Sequence, residues 1–459
     1  MRKIYNVILN EYIKIFAKIS TKIMLVCIVL LAIFWNVGSY LANRSSQEYY
    51  RNDLDYDSLI NEYSGTDETQ ADMYRFMKEQ DIKSTEDWRY AAITDSTNAL
   101  AGLINRQPAE EEKAAARQWY DRCKQAIADN DSKAYLRLRI EFVKTFETLT
   151  EEERKIKLWS LQYQIDHDIT PAWSDKRYQT LQKLVTDKTQ LLSLEQAPAE
   201  SRDAKQIHDL QSSIAVGEYV LEHNLETYLV PDGVDRSFSL TGFWSVFRNS
   251  TMLIMVINVL IIIVAGSMVS MEFSSGTIKF LLINPIKRWK ILLAKYLSVL
   301  TVGIVMLFIY YVFNLLLAGI FFGFGEIGAP LLTVAGGKVY LGSGLLYVAW
   351  KYILGSLGLL TMATFAFAVS SLVRNSALAI GLGVFLLLSG YGAVYVLASN
   401  MNMDWARYIL FANTDINLII NHQTPFIGHT VGFALIVTGV YMAVFLLTAW
   451  DAFVRRDIK

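Results

Sequence analysis

A chain of 459 residues has room for several domains, and its 53% hydrophobic content with a mean hydropathy of +0.26 argues against an ordinary soluble protein. The net charge of -1 conceals two populations, because residues 43–250 sum to -11 and the remainder to +10, with nearly all long apolar runs in the remainder. Bulk charge therefore points to no partner, and none of nucleic-acid type is expected.

Residues 1–20 place Ile4, Ile8, Tyr12, Ile15 and Ile19 at helical spacing, with Lys3, Asn10, Lys14 and Lys18 mostly elsewhere on the wheel. This pattern predicts an amphipathic helix lying at a membrane interface. A bilayer core of about 30 Å needs roughly 20 apolar residues in helical form. The chain offers six such runs, near 22–42, 250–271, 292–322, 346–372, 375–398 and 429–451. The first, assigned to 21–42, is too long and lacks the small-residue cleavage pattern of a removable signal peptide, so it is expected to stay as an anchor.

Basic residues flank these runs asymmetrically. Arg2, Lys3, Lys14, Lys18 and Lys22 precede the first; Lys279, Lys287, Arg288, Lys290 and Lys295 lie between the second and third; Arg374 separates the fourth and fifth; Arg455, Arg456 and Lys459 follow the sixth. If the spans alternate, all four groups share one side, which the positive-inside rule makes the cytoplasm. Both termini are then expected inside a plasma membrane of bacterial type, and residues 43–249 outside it. The pair Cys27 and Cys123 falls in different regions, so no disulfide is expected within the outer domain.

Residues 43–249 are rich in Glu, Lys, Gln, Ala and Leu and are punctuated by Pro108, Pro171, Pro198 and Pro231, a pattern that predicts consecutive helices. Thr150 followed by Glu153 reads as a capping box. Trp88, Trp119, Tyr120, Trp159, Tyr163 and Trp173 are expected to pack between helices. Further on, 323–345 is Gly-rich and ambiguous, whereas 399–428 carries Trp405, Tyr408, Ile409, Leu410 and Phe411 in a run too short to span, as in a re-entrant segment at the outer face. The fold expected is an all-α polytopic membrane protein with six transmembrane helices, the last five within 250–459, and a mainly helical extracellular domain.

No catalytic constellation is visible. Gly336, Gly337, Lys338 and Val339 lack the upstream glycine and the hydroxyl residue of a phosphate-cradling loop and read as a turn. His167, His208, His223, His422 and His429 are too dispersed for a zinc site. The spans carry few ionisable residues: Lys351, Glu272 and Lys295 fall near span ends, where each is expected to reach water. Asn258 and Asn314 are the more central polar residues, read first as helix–helix hydrogen bonds and second as lining of a pathway.

The segment after the second span supplies the functional reading. Gly276 and Thr277 can open a short helix near 276–285 whose Ile278, Leu281, Leu282 and Ile283 form an apolar surface; Pro285 ends it, and Lys287, Arg288 and Lys290 follow at headgroup level. Glu272, Gly276, Thr277, Leu281, Leu282, Pro285 and Arg288, continued by Lys295, resemble the coupling loop of ABC-2 transporter permeases. The amphipathic start, the six spans, the apolar outer segment and the end Phe453, Val454, Arg455, Arg456, Asp457, Ile458 are similar to that family too. The resemblance implies a non-catalytic permease subunit that binds no cofactor of its own. It implies a separate ABC ATPase subunit holding ATP and Mg, a second permease copy in a homodimer or heterodimer, and outward movement of an amphiphilic or hydrophobic substrate such as a peptide, lipid-like molecule or antimicrobial. A membrane-anchored receptor or scaffold, whose outer domain binds a ligand without pumping, is the competing class. An ion-coupled carrier would need a buried titratable residue.

Overall fold

The computed structural model describes residues 2–51, 55–65, 67–198, 202, 204–231, 242–277, 286–401, 403–420, 424–426 and 428–455. It is an all-α polytopic membrane protein. Among the described residues six helices are long and apolar enough to cross a bilayer: Ile19–Ser45, Phe243–Ser274, Arg288–Phe322, Gly344–Val373, Ser376–Asn400 and Val431–Arg455. The chain divides into two compact units: a membrane unit (residues 1–41, 237–328 and 343–459) and a polar unit (42–236 and 329–342).

In the membrane unit the second and fourth spans are more than half buried and form the core, while the sixth is the least buried. Close approach of neighbouring spans depends on small residues, since helices in lipid gain from van der Waals contact rather than from water exclusion. A Cβ on Gly266 would come within 3.2 Å of the Ile380 backbone nitrogen, and one on Gly303 within 2.8 Å of Leu359 Cδ2. The second span is longer than its apolar run and is broken twice. At Ser250–Leu253 it tightens to a 3-10 turn, where the Ser250 carbonyl accepts from the Tyr310 hydroxyl at 3.1 Å and Ser250 Oγ meets the Tyr352 hydroxyl at 2.6 Å. At Val269 the helix breaks again, and Ser370 Oγ of the fourth span accepts from the Ser270 N–H at 3.0 Å. Backbone groups released by each break are thus taken up by neighbouring spans, as a bilayer interior requires.

Asn314 is fully buried and accepts from Asn36 Nδ2 of the first span at 3.0 Å, while its own Nδ2 donates to the Tyr310 carbonyl at 2.8 Å. The segment between the fifth and sixth spans forms short turns, Asp404–Tyr408 and Leu410–Ala412, and a short helix, Ile416–Ile420. Leu410, Ala412, Asn413, Ile416 and Ile419 of this segment are buried.

The polar unit is mainly helical. Asp67, Asp87, Asp131 and Asp175 each accept N–H bonds at the start of a helix, and the Thr150–Glu153 capping box is formed in both directions. Trp119, Met77, Cys123, Tyr135 and Phe142 occupy the centre of its core, and Trp119 Nε1 donates to the Leu138 carbonyl at 2.7 Å. Trp173, expected to pack between helices, is instead exposed beside Tyr178, because it lies in the turn before Lys176–Gln196. The ambiguous 323–345 stretch contributes a β-hairpin, β1 (Pro330–Ala335) and β2 (Lys338–Ser343). Gly336 and Gly337 form its two-residue turn at φ +56° and +76°, a conformation that side chains resist.

Candidate functional site

Four charged side chains meet where the N-terminal helix Arg2–Ala17 crosses the start of the third span. Lys295 Nζ lies 2.9 Å from Glu11 Oε2 and 3.0 Å from Glu272 Oε1. Lys14 Nζ lies 3.2 Å from the same Glu272 oxygen and 3.4 Å from Glu11 Oε1. Lys295 is 1% exposed and Glu11 2% exposed, so water cannot neutralise either. The expectation that Lys295 reaches solvent is therefore corrected: the N-terminal helix covers it and supplies the counter-charge. Lys351, 7% exposed, is likewise buried rather than water-facing, since it occupies the packed face of the fourth span beside Tyr352.

Helix geometry explains why these groups converge. Among the described side chains of the N-terminal helix, Glu11 and Ile15, one turn apart, are buried, while Leu9 and Ile13 are exposed. The apolar stripe read from the sequence thus carries an acid within it, and Ile19, counted in that stripe, is exposed because the helix is interrupted at Lys18. Two carboxylates alternate with two ammonium groups, which lets each desolvated charge contact an opposite one. Burial alone would pull the Lys14 ammonium down, but Glu11 and Glu272 hold it above its ordinary value.

Glu272 is the hub of the arrangement. Beyond its two lysines it accepts from the Thr277 hydroxyl, and Ser275 Oγ meets Thr277 Oγ1 at 2.9 Å. One carboxylate consequently ties together the end of the second span, the third span, the N-terminal helix and the start of the connecting segment. Gly276, at φ +71°, follows Ser275 as the left-handed stop of the short helix Ser270–Ser274. In the described structure it closes that helix, and Ser275–Thr277 are non-helical. Ile278, Leu281, Leu282, Ile283 and Pro285 lie outside the described residues. Arg288 begins the third span. From the fourth span's end, Arg374 covers the Phe273 ring at 4.4 Å, which holds the same turn from another side.

Asn258 and Asn314 do not come together. Asn314 is consumed in the pairing with Asn36, whereas Asn258, 8% exposed, lines a cavity between the second, fourth and fifth spans. Sequence reasoning missed Glu11 and Asn36. Each had a usable signal: Glu11 is the one acidic residue in the first 47, and Asn36 is the central polar residue of the first span. No group of three or more potential metal ligands occurs among the described residues.

These features define a six-span α-helical membrane protein with a charge cluster at one end of its bundle. Residues 225–459, just over half the chain, match the family model described as "Protein of unknown function (DUF2705)", and the chain belongs to that family. It is similar to the uncharacterized protein YhcI of Bacillus subtilis (strain 168), 36% identical over 251 residues that cover 54% of this chain and 76% of that protein. It is similar also to the uncharacterized membrane protein YdbK of the same organism, 30% identical over 247 residues covering 54% of this chain and 94% of that protein.

Proposed function

We propose that the chain is the permease subunit of an ATP-driven exporter of the ABC-2 type, set in a bacterial plasma membrane with both termini and the charge cluster at the cytoplasmic face. The observation that carries the reading is Lys295, buried between Glu11 and Glu272 at 2.9 and 3.0 Å. A separate ATPase subunit, holding ATP and Mg, docks on the segment that follows Glu272, and a second permease copy completes the transporter. Closure of the ATPase pair displaces that segment. Since Glu272 is bonded at once to Thr277, Lys14 and Lys295, the displacement reaches the N-terminal helix and the third span together. Charge pairs held in low dielectric resist separation, so the cluster transmits force rather than absorbing it.

Inverted vesicles containing this chain and its ATPase should accumulate an amphiphilic cargo when ATP is added, and Glu272→Lys should abolish accumulation. A receptor or scaffold would give no ATP-dependent accumulation with any cargo, and that result in a complex that hydrolyses ATP overturns the proposal.

A further inference from the structure

The cavity beside Asn258 has a volume of about 390 Å³ and is enclosed by the second, fourth and fifth spans and the short helix Ile416–Ile420. It falls within the size range of small-molecule sites. Gly355, Gly358 and Gly392 line it, so backbone rather than side chain forms part of its wall. These glycines are not equivalent. A Cβ on Gly358 would lie 3.0 Å from the Thr414 carbonyl oxygen, whereas one on Gly392 would meet nothing within 4 Å. Met252, Met255 and Leu388, all exposed, are among its apolar lining residues.

Thr251, Asn258, Tyr391, Thr414, Asp415 and Asn417 supply the polar part of the lining, and two of them, Asn258 and Asp415, offer acceptors that single them out. Among the described residues nothing donates to Asn258 Oδ1, although the side chain is more than nine-tenths buried. A buried acceptor without a donor carries its full desolvation cost, so it favours an occupant that donates. The second group is Asp415, whose Oδ1 caps the short helix by accepting from the N–H groups of Asn417 and Leu418 at 3.1 and 3.4 Å. Asp415 lines the cavity and is itself exposed. Desolvation moves its pKa upward from the ordinary carboxylate value, against the capping N–H groups and the field of Lys351. Lys351 does not line the cavity.

We infer that this cavity binds the headgroup end of a single-chain amphiphile bearing a protonated amine, with the ammonium on Asp415, a second N–H on Asn258 and the alkyl chain leaving between Met252 and Leu388. A carboxylate or sulfate headgroup would meet the like charge of Asp415 and be disfavoured. The inference rests on the export reading only where the occupant is called cargo. The site is tested without any ATPase.

The test uses the full chain in phosphatidylcholine nanodiscs and a diazirine-bearing dodecylamine as photolabel. Mass spectrometry should find saturable labelling of peptides within residues 251–258 and 411–418, competed by dodecylamine and not by dodecanoate. Asp415→Asn should weaken labelling roughly tenfold, the expected weight of one charge-assisted hydrogen bond. Gly392→Phe, which fills open space, should abolish it with the thermal unfolding of the membrane unit unchanged. Labelling that is non-saturable, spread over every lipid-facing span and indifferent to Asp415→Asn would overturn the site and reduce the cavity to a lipid-filled groove. Failure here leaves ATP-dependent accumulation as a separate question, so the two readings fall independently.

Discussion

Lys295 and Glu11, separated by 284 positions in the chain, meet at 2.9 Å in a place that water does not reach. Removing one partner strands the other charge. Lys295→Met should lower the stability of the membrane unit by about 3–5 kcal/mol, the usual cost of breaking a buried pair. Adding Glu11→Gln and Glu272→Gln to that variant should recover most of the loss, although it disconnects the N-terminal helix from the loop. Denaturant unfolding in nanodiscs, followed by tryptophan fluorescence, checks both parts; a single variant of unchanged stability would mean the pair is solvated.

Asn36 and Asn314 join the first and third spans by one side-chain hydrogen bond at 3.0 Å. Such bonds in bilayers average about 0.6 kcal/mol, with a maximum near 1.7. Asn314→Leu and Asn36→Leu should therefore each destabilise modestly, and the double variant should cost less than the two effects added. A double-mutant cycle in nanodiscs measures the coupling, and strict additivity would show the contact to be incidental.

Cys123 lies in the core of the polar unit, where burial pushes its thiol up to about 12. Folding favours the neutral thiol, so its stabilising contribution is complete below the ordinary thiol value of about 8.5 and is lost as pH rises through 12. The stability advantage of the natural chain over Cys123→Ala should shrink across that window. Comparing the two variants removes the buried tyrosines, which titrate in both. At neutral pH iodoacetamide should leave Cys123 unmodified until the unit unfolds.

Asp415→Asn keeps the helix cap, because Asn accepts from the same N–H groups nearly as well as Asp. It removes a carboxylate whose pKa is raised by its surroundings. Natural and substituted chains should converge in stability as pH falls below the free carboxyl's value of about 3.9, and the Asn variant should gain as pH rises above it. Melting curves from pH 4 to 8 test this, and parallel curves throughout would contradict it. A residue that costs stability in this way fits a role in binding rather than in folding.

The six spans were legible because their apolar runs exceed what a soluble core helix needs, and the division at Arg374 was marked by a lone cation between two such runs. Thr150 and Glu153 announced a helix start through local chemistry alone. What the sequence hid was convergence. Nothing local connects Glu11 with Lys295, and an acid on an otherwise apolar helix face reads as solvated until the third span is seen against it. The Gly-rich stretch was ambiguous for a similar reason: Gly336 and Gly337 signal a tight turn, but the hairpin is fixed by the distant Leu229, whose carbonyl accepts from the Leu332 N–H at 2.7 Å. The second span outran its apolar run because Phe243–Asn249 packs its aromatic rings inward while carrying Arg248, whose charge broke the hydropathy signal.

The most direct test of coupling places a photo-crosslinking amino acid at Thr277, beside Glu272, in cells that express the chain with its neighbouring genes. If the segment drives transport, the adduct should contain tryptic peptides of an ATPase with a Gly-rich phosphate loop, and Glu272→Lys should remove ATP-dependent transport while ATP hydrolysis by the complex persists. A crosslinked product without any such ATPase, or transport that survives Glu272→Lys unchanged, would contradict the proposal that force enters through this carboxylate.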